Sequence, residues 1–188
     1  MMTKSTTARK KLQTADLAYI AVGTVLITVC AWITIPMVVP FTLQTFAVFF
    51  VLSLLGGKRG TICIVIYILL GAVGVPVFSG FMGGIGKLLG MTGGYILGFI
   101  LTGLLYWLAR RLFGGKLLVR ILSLLAGLLV CYAFGTAWFM VVYARDSGPI
   151  GLGTALTMCV IPFILPDLAK MALALFLADR MKKLLHWS

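Results

Sequence analysis

LLVRILSLLAGLLVCYAFGTAWFMVVY, residues 117–143, decides the fold, because this long stretch is apolar and Arg120 is its one charged side chain. A helix that crosses a bilayer requires ~20 predominantly apolar residues. The stretch therefore predicts a transmembrane helix, and similar apolar stretches lie on both sides of it. The six predicted spans are 15–35, 42–55, 61–78, 91–109, 117–143 and 150–179.

The composition of the whole chain agrees with this interpretation. Of its 188 residues, 62% are hydrophobic and 11% are charged, whereas a soluble domain is about a quarter charged. So few polar side chains cannot cover a surface that faces water. We therefore predict an all-α integral membrane protein in which residues 1–188 form a single membrane domain.

The positive charge follows the predicted topology. The chain has 16 Lys and Arg residues against four Asp and no Glu, a net charge of +12. The tails and the loops after the second and fourth spans carry Lys4, Arg9, Lys10, Lys11, Lys58, Arg59, Arg110, Arg111, Lys116, Arg120, Arg180, Lys182 and Lys183. The other loops carry only Lys87 and Arg145. By the positive-inside rule both termini are cytoplasmic in the plasma membrane, and the charge needs no nucleic-acid partner.

Motifs for catalysis, nucleotides and metals are missing from the sequence. The segment GGIGKLLG (83–90) fits neither a P-loop nor a dinucleotide fingerprint. The single histidine, His186, lies in the tail, and the four cysteines lie in apolar stretches without C-x-x-C spacing. We therefore expect no enzymatic activity, no metal site, no disulfide framework and no cofactor.

An unusual pair of charges follows a proline in the sixth span. Pro162 and Pro166 each remove a backbone donor, so they predict a kink or a broken helix. Asp167 and Lys170 come next, and residues three apart share a helix face. A lone charge at this depth costs at least ~3 kcal/mol, so the pair predicts a site that a polar ligand completes. The alternative is a buried ion pair that only fixes the helix against its neighbours.

A glycine-rich segment, residues 78–98, is a second candidate site, with Lys87 as its only charge. Glycines allow close backbone approach, and their amides can donate to an anion. The alternative is simple re-entrant packing. Gln44 and Thr45, which open the second span, either bind a ligand or cap the helix, and Tyr95 either stacks on a ring or anchors the helix at the interface.

Small residues recur every four positions in two spans, which predicts close helix packing. They are Gly94, Gly98 and Thr102 in the fourth span, and Ser123, Gly127, Cys131 and Gly135 in the fifth.

Four segments resemble the BioY family, the biotin-binding S components of energy-coupling factor (ECF) transporters. They are IPMVVPFTLQTFAV (35–48), GGKRGTICIVIYILLGAVGVPVFSG (56–80), GGIGKLLGMTGGYILGF (83–99) and PDLAK (166–170). The resemblance implies a six-helix S-component bundle with cytoplasmic termini. It also implies biotin binding on the outer side, with energy supplied by a transmembrane coupling protein and two ABC-type ATPases.

The chemistry of biotin suits the candidate residues. The ureido ring offers two N–H donors and a carbonyl, so Asp167 is expected to accept from the ring, while Lys170 donates to the carbonyl or holds Asp167. The carboxylate would be received by amides of the glycine segment, by Thr92 or by Lys87, although the reverse orientation, with Lys170 on the carboxylate, stays open. The other residues assigned to the site are Gln44, Gly83, Gly84 and Gly86, with Phe78 and Tyr95 as walls around the fused ring.

Two departures from the family pattern concern the loop and the partner. Met91 stands where relatives often have proline. The A-x-x-x-A face that docks the coupling protein is incomplete on the first span, where Ala15, Ala18 and Val22 are the candidates. The alternatives to a biotin S component are an S component for another vitamin, a stand-alone facilitator or channel, and a structural membrane protein.

Overall fold

The computed structural model describes residues 14–184 and is almost entirely helical. Its helices are α1 (Thr14–Trp32), α2 (Gln44–Ala72), α3 (Ile85–Leu89), α4 (Gly93–Phe113), α5 (Leu117–Ser147), α6 (Leu152–Cys159) and α7 (Ile161–Leu184). A short antiparallel pair, β1 (Thr34–Ile35) and β2 (Phe41–Thr42), joins α1 to α2. The basic residues Lys4, Arg9, Lys10 and Lys11, and also His186, lie outside the described residues. The predicted helical membrane fold is confirmed.

Helix α2 is a hairpin rather than one continuous rod. Gly56 interrupts it with φ +82°, a conformation that glycine adopts readily and other residues rarely. A Cβ placed on Gly60 would lie 2.9 Å from the Cα of Leu52, although eight residues span ~12 Å along a helix. Residues 44–55 therefore form a first arm, and residues 57–72 return beside it as a second arm.

This hairpin revises the boundaries of the second and third predicted spans. Residues 57–60, predicted as part of a loop, are helical, so the reversal takes place at Gly56 alone. The second arm ends at Ala72 rather than at residue 78, and the positive φ of Gly74 (+105°) follows directly. The lack of a side chain at Gly57 allows the backbone of α2 to pack directly on Trp107 of α4.

Other helix ends also differ from the prediction, for local reasons. Helix α1 ends at Trp32 rather than at residue 35, because Thr34 and Ile35 pair with β2. Helix α4 continues to Phe113, where Gly114 (φ +82°) donates its N–H to the carbonyl of Arg110 at 3.2 Å, a glycine cap typical of helix C-termini.

The break predicted near the prolines of the sixth span is confirmed. Val160, with φ −126°, separates α6 from α7. Pro162 lies in the first turn of α7, where its missing N–H has no helical role, and Pro166 lies inside the helix. The break places Asp167 seven residues, or about two helical turns, beyond a discontinuity in the bundle.

The predicted packing of small residues is confirmed between α4 and α5. The hydroxyl of Thr102 donates to the carbonyl of Gly127 at 2.9 Å, and a Cβ on Gly98 would lie 2.9 Å from the Sγ of Cys131. A Cβ on Gly94 would overlap Trp138. Close backbone contact of this kind is typical of membrane helices.

Five helical segments of the described chain are long and apolar enough to cross a membrane, if α6 and α7 are taken as one segment. Since α2 is a hairpin, the bundle contains six segments, as predicted. The end of the bundle that carries Gln44 is called here the Gln44 end, and the opposite end the Gly56 end. The basic residues of the second and fourth loops gather at the Gly56 end.

Candidate functional site

A cavity opens into the bundle at the Gln44 end, between the first arm of α2, α4, α5 and the α6–α7 break. It encloses about 640 Å³ of empty space, counted together with the open solvent at its mouth. The sequence-predicted residues that line it are Gln44, Thr92, Tyr95, Asp167 and Lys170. Residues far apart in the chain therefore meet at one chamber.

The carboxylate of Asp167 forms the polar centre of this cavity and is only 2% exposed. Its Oδ1 accepts from the hydroxyl of Thr45 at 2.8 Å and from the ammonium of Lys170 at 2.9 Å. Its Oδ2 accepts from the hydroxyl of Tyr132 at 2.7 Å. A carboxylate has about four lone-pair sites, so within the described residues Oδ2 keeps room for one more donor.

The ammonium of Lys170 is bound on all sides. Besides Asp167, it donates to the carbonyl of Thr42 at 2.7 Å and to the hydroxyl of Thr45 at 3.2 Å. It also lies 4.1 Å from the centre of the Phe41 ring, a favourable cation–π position. Since an ammonium has three N–H donors, these three acceptors occupy all of them.

A second polar contact joins the two arms of α2 beside the charged pair. The amide nitrogen Nε2 of Gln44 donates to the hydroxyl of Tyr67 at 3.0 Å, and both residues are buried. This bond holds the side chain of Gln44 beside the cavity, away from the start of its own helix. The backbone N–H of Gln44 donates instead to the hydroxyl of Thr42.

The remaining wall is aromatic and aliphatic. The hydroxyl of Tyr95 is hydrogen-bonded to that of Thr136 at 2.9 Å, which fixes the ring beside the cavity. Ile96, Phe99 and Phe163 add apolar surface. A chamber with apolar walls and a few fixed polar groups is typical of a site for a small ring-containing ligand.

The glycine-rich segment, residues 78–98, contributes Ser79, Thr92, Tyr95 and Ile96 to the lining of this chamber, and its glycines are not among the lining residues. Gly86, Lys87 and Thr92 line a shallower cavity at the outer surface, and Thr92 belongs to both. The amide of Gly84 donates to the carbonyl of Gly71 at 2.7 Å, and Gly83 packs on the backbone of Gly74 and Val75. The amide of Gly84 is thus occupied by the protein itself.

Lys87 lies on the short helix α3, outside the membrane-spanning segments, and is half-buried. Burial disfavours the charged form of an ammonium, so it lowers the pKa of Lys87 below its ordinary value. The ammonium of Lys87 is therefore less completely solvated than that of an exposed lysine, as in a residue that receives an anion.

Phe78 does not reach the chamber. Its side chain is fully buried, and its ring meets that of Tyr67 edge-on with centroids 5.5 Å apart. A Cβ on Gly71 would overlap the Phe78 ring. Phe78 therefore packs the glycine segment onto α2 and supports Tyr67, and it is not among the residues that line the cavity.

Sequence reasoning missed Tyr132 and Thr42, which bind the charged pair directly. Tyr132 follows Cys131 of the small-residue stripe on α5, and an aromatic hydroxyl beside a packing face was the available signal. The contribution of Thr42 is a backbone carbonyl, which no side-chain pattern reveals. Within residues 14–184, no three His, Cys, Asp or Glu side chains come together to hold a metal ion.

The docking candidates lie on the outer face of α1. Ala15, Ala18 and Val22 are exposed. Ala18 and Val22 line an apolar groove between α1, the first arm of α2 and Met181 of α7. The groove is remote from the chamber, so the two surfaces are separate.

Comparison with known proteins gives a consistent result. A family model described as the BioY family matches residues 2–187. A Pyrococcus horikoshii protein named "Probable biotin transporter BioY" is 44% identical over 144 residues, which cover 77% of this chain and 81% of that protein. A Thermotoga maritima protein named "Biotin transporter BioY" is 42% identical over 165 residues, covering 86% and 92%.

A solved structure has the same fold. It is described as the S-component for biotin from an ECF-type ABC transporter, and it matches with a TM-score of 0.78 and 28% sequence identity over 90% of this chain and 91% of that one. The chain is a multi-pass membrane protein that belongs to the BioY family.

Proposed function

We propose that this protein is the membrane-embedded, substrate-binding subunit for biotin uptake. The names of its relatives and the description of the matching structure support biotin as the ligand. The observation that carries the proposal is the fixed carboxylate of Asp167, which lines a chamber with apolar walls and has an acceptor position to spare on Oδ2.

The ureido ring of biotin is bound at the bottom of the chamber in this proposal. One of its N–H groups donates to the spare position on Oδ2 of Asp167, because a carboxylate held by three protein donors is an acceptor in a fixed direction. Lys170 acts on the ligand through Asp167, since its three N–H donors already have acceptors. Of the three roles considered for Lys170, holding the carboxylate of Asp167 is thus favoured over donating to the ligand carbonyl or to the ligand carboxylate.

The valerate carboxylate then points outward, toward Thr92 and Lys87. Thr92 lines both the chamber and the outer cavity, so an extended chain can pass from one to the other. The cation at Lys87 favours the carboxylate electrostatically. Gln44 and Tyr95 flank the ring system, and Gly86 lies beside Lys87 in the outer cavity. The roles of Gly83, Gly84 and Phe78 are structural in this arrangement.

Energy for uptake is supplied by partners in this proposal. The family relationship favours an ECF transmembrane coupling protein with two ABC-type ATPases. The exposed face of α1 with Ala15, Ala18 and Val22, together with its apolar groove, is the proposed docking surface. The excess of basic residues at the Gly56 end supports a plasma-membrane orientation with that end, and both termini, in the cytoplasm.

The proposal is tested by calorimetric titration of the detergent-purified protein with biotin, beside riboflavin and thiamine. We expect saturable binding of biotin and no heat of binding from the other two vitamins. Tighter binding of another vitamin would contradict the assignment. Uptake of labelled biotin by liposomes that contain this protein without any ATPase would contradict the dependence on partners.

A further inference from the structure

A second polar cluster lies at the Gly56 end, far from the chamber. Arg120 stands in the first turn of α5, Asp179 and Lys182 share one face in the last turns of α7, and Arg110 lies in the last turn of α4. The guanidinium of Arg110 is close to the α4–α5 turn, since a Cβ on Gly115 would lie 3.2 Å from its Nη2. The cluster belongs to neither the ligand site nor the groove on α1.

Arg120 is 6% exposed and only partly paired. Its Nη1 donates to Oδ1 of Asp179 at 2.6 Å. Its Nε and Nη2 are buried and have no acceptor among residues 14–184. Leaving charged donors buried and unpaired is unfavourable, so this arrangement calls for an acceptor.

The two unpaired nitrogens form one geometric unit. Nε–H and the adjacent N–H of Nη2 point in parallel from one edge of the planar guanidinium. This edge is the fork that binds two oxygens of a carboxylate or phosphate together. The missing acceptor is therefore a planar or tetrahedral oxyanion, rather than a single carbonyl.

The charge of the cluster favours a phosphate. Arg110, Arg120 and Asp179 all lie within electrostatic range of Lys182. The side chain of Asp179 is 41% exposed, so the ion pair lies near the edge of the bundle. Three cations against one carboxylate leave a positive site at a helix end.

The side chains around the cluster are suited to contact with a lipid. Large apolar side chains are exposed beside it, namely Leu112, Phe113, Leu117, Leu118 and Leu184. Basic pockets between membrane helices are typical sites for anionic headgroups. The turn between α4 and α5 consists of Gly114, Gly115 and Lys116, all exposed. It lies beside the guanidinium of Arg110, so the cluster is next to an exposed turn.

We propose that Arg120, supported by Arg110 and Lys182, binds the phosphate group of an anionic phospholipid at the Gly56 end, between α4, α5 and α7. The acyl chains lie along the exposed leucines. A free phosphate ion shares the same headgroup chemistry, and the apolar surroundings favour the lipid.

The test measures thermal unfolding of the delipidated, detergent-purified full chain with added phosphatidylglycerol, phosphatidylcholine or inorganic phosphate. We expect phosphatidylglycerol to raise the unfolding midpoint, and the other two additions to leave it unchanged. Arg120→Gln should abolish the shift. Arg111→Gln, which removes the same charge from an exposed neighbouring position, should retain it.

Two further variants keep the proposal open to refutation if Arg120→Gln does not fold. Lys182→Gln should raise the half-saturating concentration of phosphatidylglycerol at least threefold. Asp179→Asn should lower it at least threefold, because the loss of the carboxylate charge makes the site more positive toward the phosphate. An Arg120 with a purely structural role predicts no change of affinity in either variant, and that result would overturn the proposal. An equal shift with inorganic phosphate would overturn the lipid assignment.

Discussion

Tyr132 on α5 holds Oδ2 of Asp167 at 2.7 Å, while the other oxygen of the same carboxylate is held by α7 itself through Lys170. The carboxylate is thus fixed between two helices and has little freedom to turn. A fixed acceptor loses little conformational entropy when a ligand arrives, and such preorganisation favours affinity. The predictions below start from this arrangement.

Replacing Asp167 with Asn should weaken biotin binding at least tenfold, which corresponds to about 1.4 kcal/mol. The amide offers a donor where the ureido N–H groups need an acceptor. Calorimetric titration measures the change. Asp146→Asn, at an exposed position near the end of α5, is the matched control and should bind like the parent protein. Unchanged affinity in Asp167→Asn would refute the assigned role.

Replacing Tyr132 with Phe removes a hydrogen bond to a charged acceptor and keeps the ring. Bonds of this kind contribute ~1.5–3 kcal/mol, so the unfolding midpoint of the ligand-free protein should fall. Tyr143→Phe, on the same helix, is the control and should have little effect, because the Tyr143 ring packs on Phe139. Equal midpoints for the two variants would show that the bond to Asp167 contributes nothing to stability.

Replacing Lys170 with Met leaves the carboxylate of Asp167 buried without its cation. Breaking a buried pair in this way costs ~3–5 kcal/mol, so we expect a large loss of stability. The double variant Asp167→Asn with Lys170→Met should recover most of the stability and still fail to bind biotin. Lys183→Met, at an exposed position, serves as the control. Additive losses in the double variant would argue against coupling of the pair.

Replacing Gly57 with Ala should separate the second arm of α2 from α4. The added Cβ would lie 2.7 Å from the Cβ of Trp107 and closer still to its Cα, and overpacking of this kind costs ~1–3 kcal/mol. Thermal unfolding in detergent measures the effect. Gly153→Ala has open space around the new methyl group and should be neutral. A stable Gly57→Ala variant would contradict the close packing of α2 on α4.

Because the pKa of Lys87 is lowered, the stability of the protein and its affinity for biotin should change with pH in opposite directions. The folded protein binds fewer protons than the unfolded chain between the lowered and the ordinary pKa, so the contribution of Lys87 to stability rises with pH in that window. Binding of the biotin carboxylate needs the charged form, so affinity should fall as the pH rises through the lowered pKa. Titrations at several pH values measure this fall.

The control for this dependence is Lys87→Arg, whose guanidinium stays charged throughout. Its affinity for biotin should be flat over the same pH range. If the parent protein and Lys87→Arg lose affinity in parallel at high pH, the titration belongs to another group and the carboxylate does not meet Lys87.

Much of this architecture was predictable from the sequence, because lipid allows few solutions. Backbone groups in a bilayer must be satisfied internally, so apolar length and proline position were enough for the helices and for the break at Val160. The cost of burying charge pointed to Asp167 and Lys170 for the same reason. The four-residue spacing of Gly94, Gly98 and Thr102 predicted a face for close helix packing, and in the structure this face meets α5.

The parts that were not predictable depend on contacts between distant segments. The chain reverses at the single residue Gly56. The five residues GGKRG (56–60) had suggested a longer loop, because glycines and charged residues are common in loops. Phe78 is aromatic and begins the glycine-rich segment, yet its ring packs against Gly71 and does not line the chamber. Tyr132 contacts Asp167, and the carbonyl of Thr42 contacts Lys170. Both contacts arise from tertiary packing, which no local sequence pattern encodes.

The early reversal at Gly56 also sets the depth of the binding chamber. The first arm of α2, residues 44–55, rises only about 18 Å at ~1.5 Å per residue, well short of the ~30 Å hydrocarbon layer. The arm therefore covers only part of the hydrocarbon layer, with Gln44 and Thr45 as the floor of the chamber. The remaining thickness of the layer is the space in which the ligand binds. Inserting one extra turn before Gly56 would raise that floor by about 5 Å and close the chamber from below.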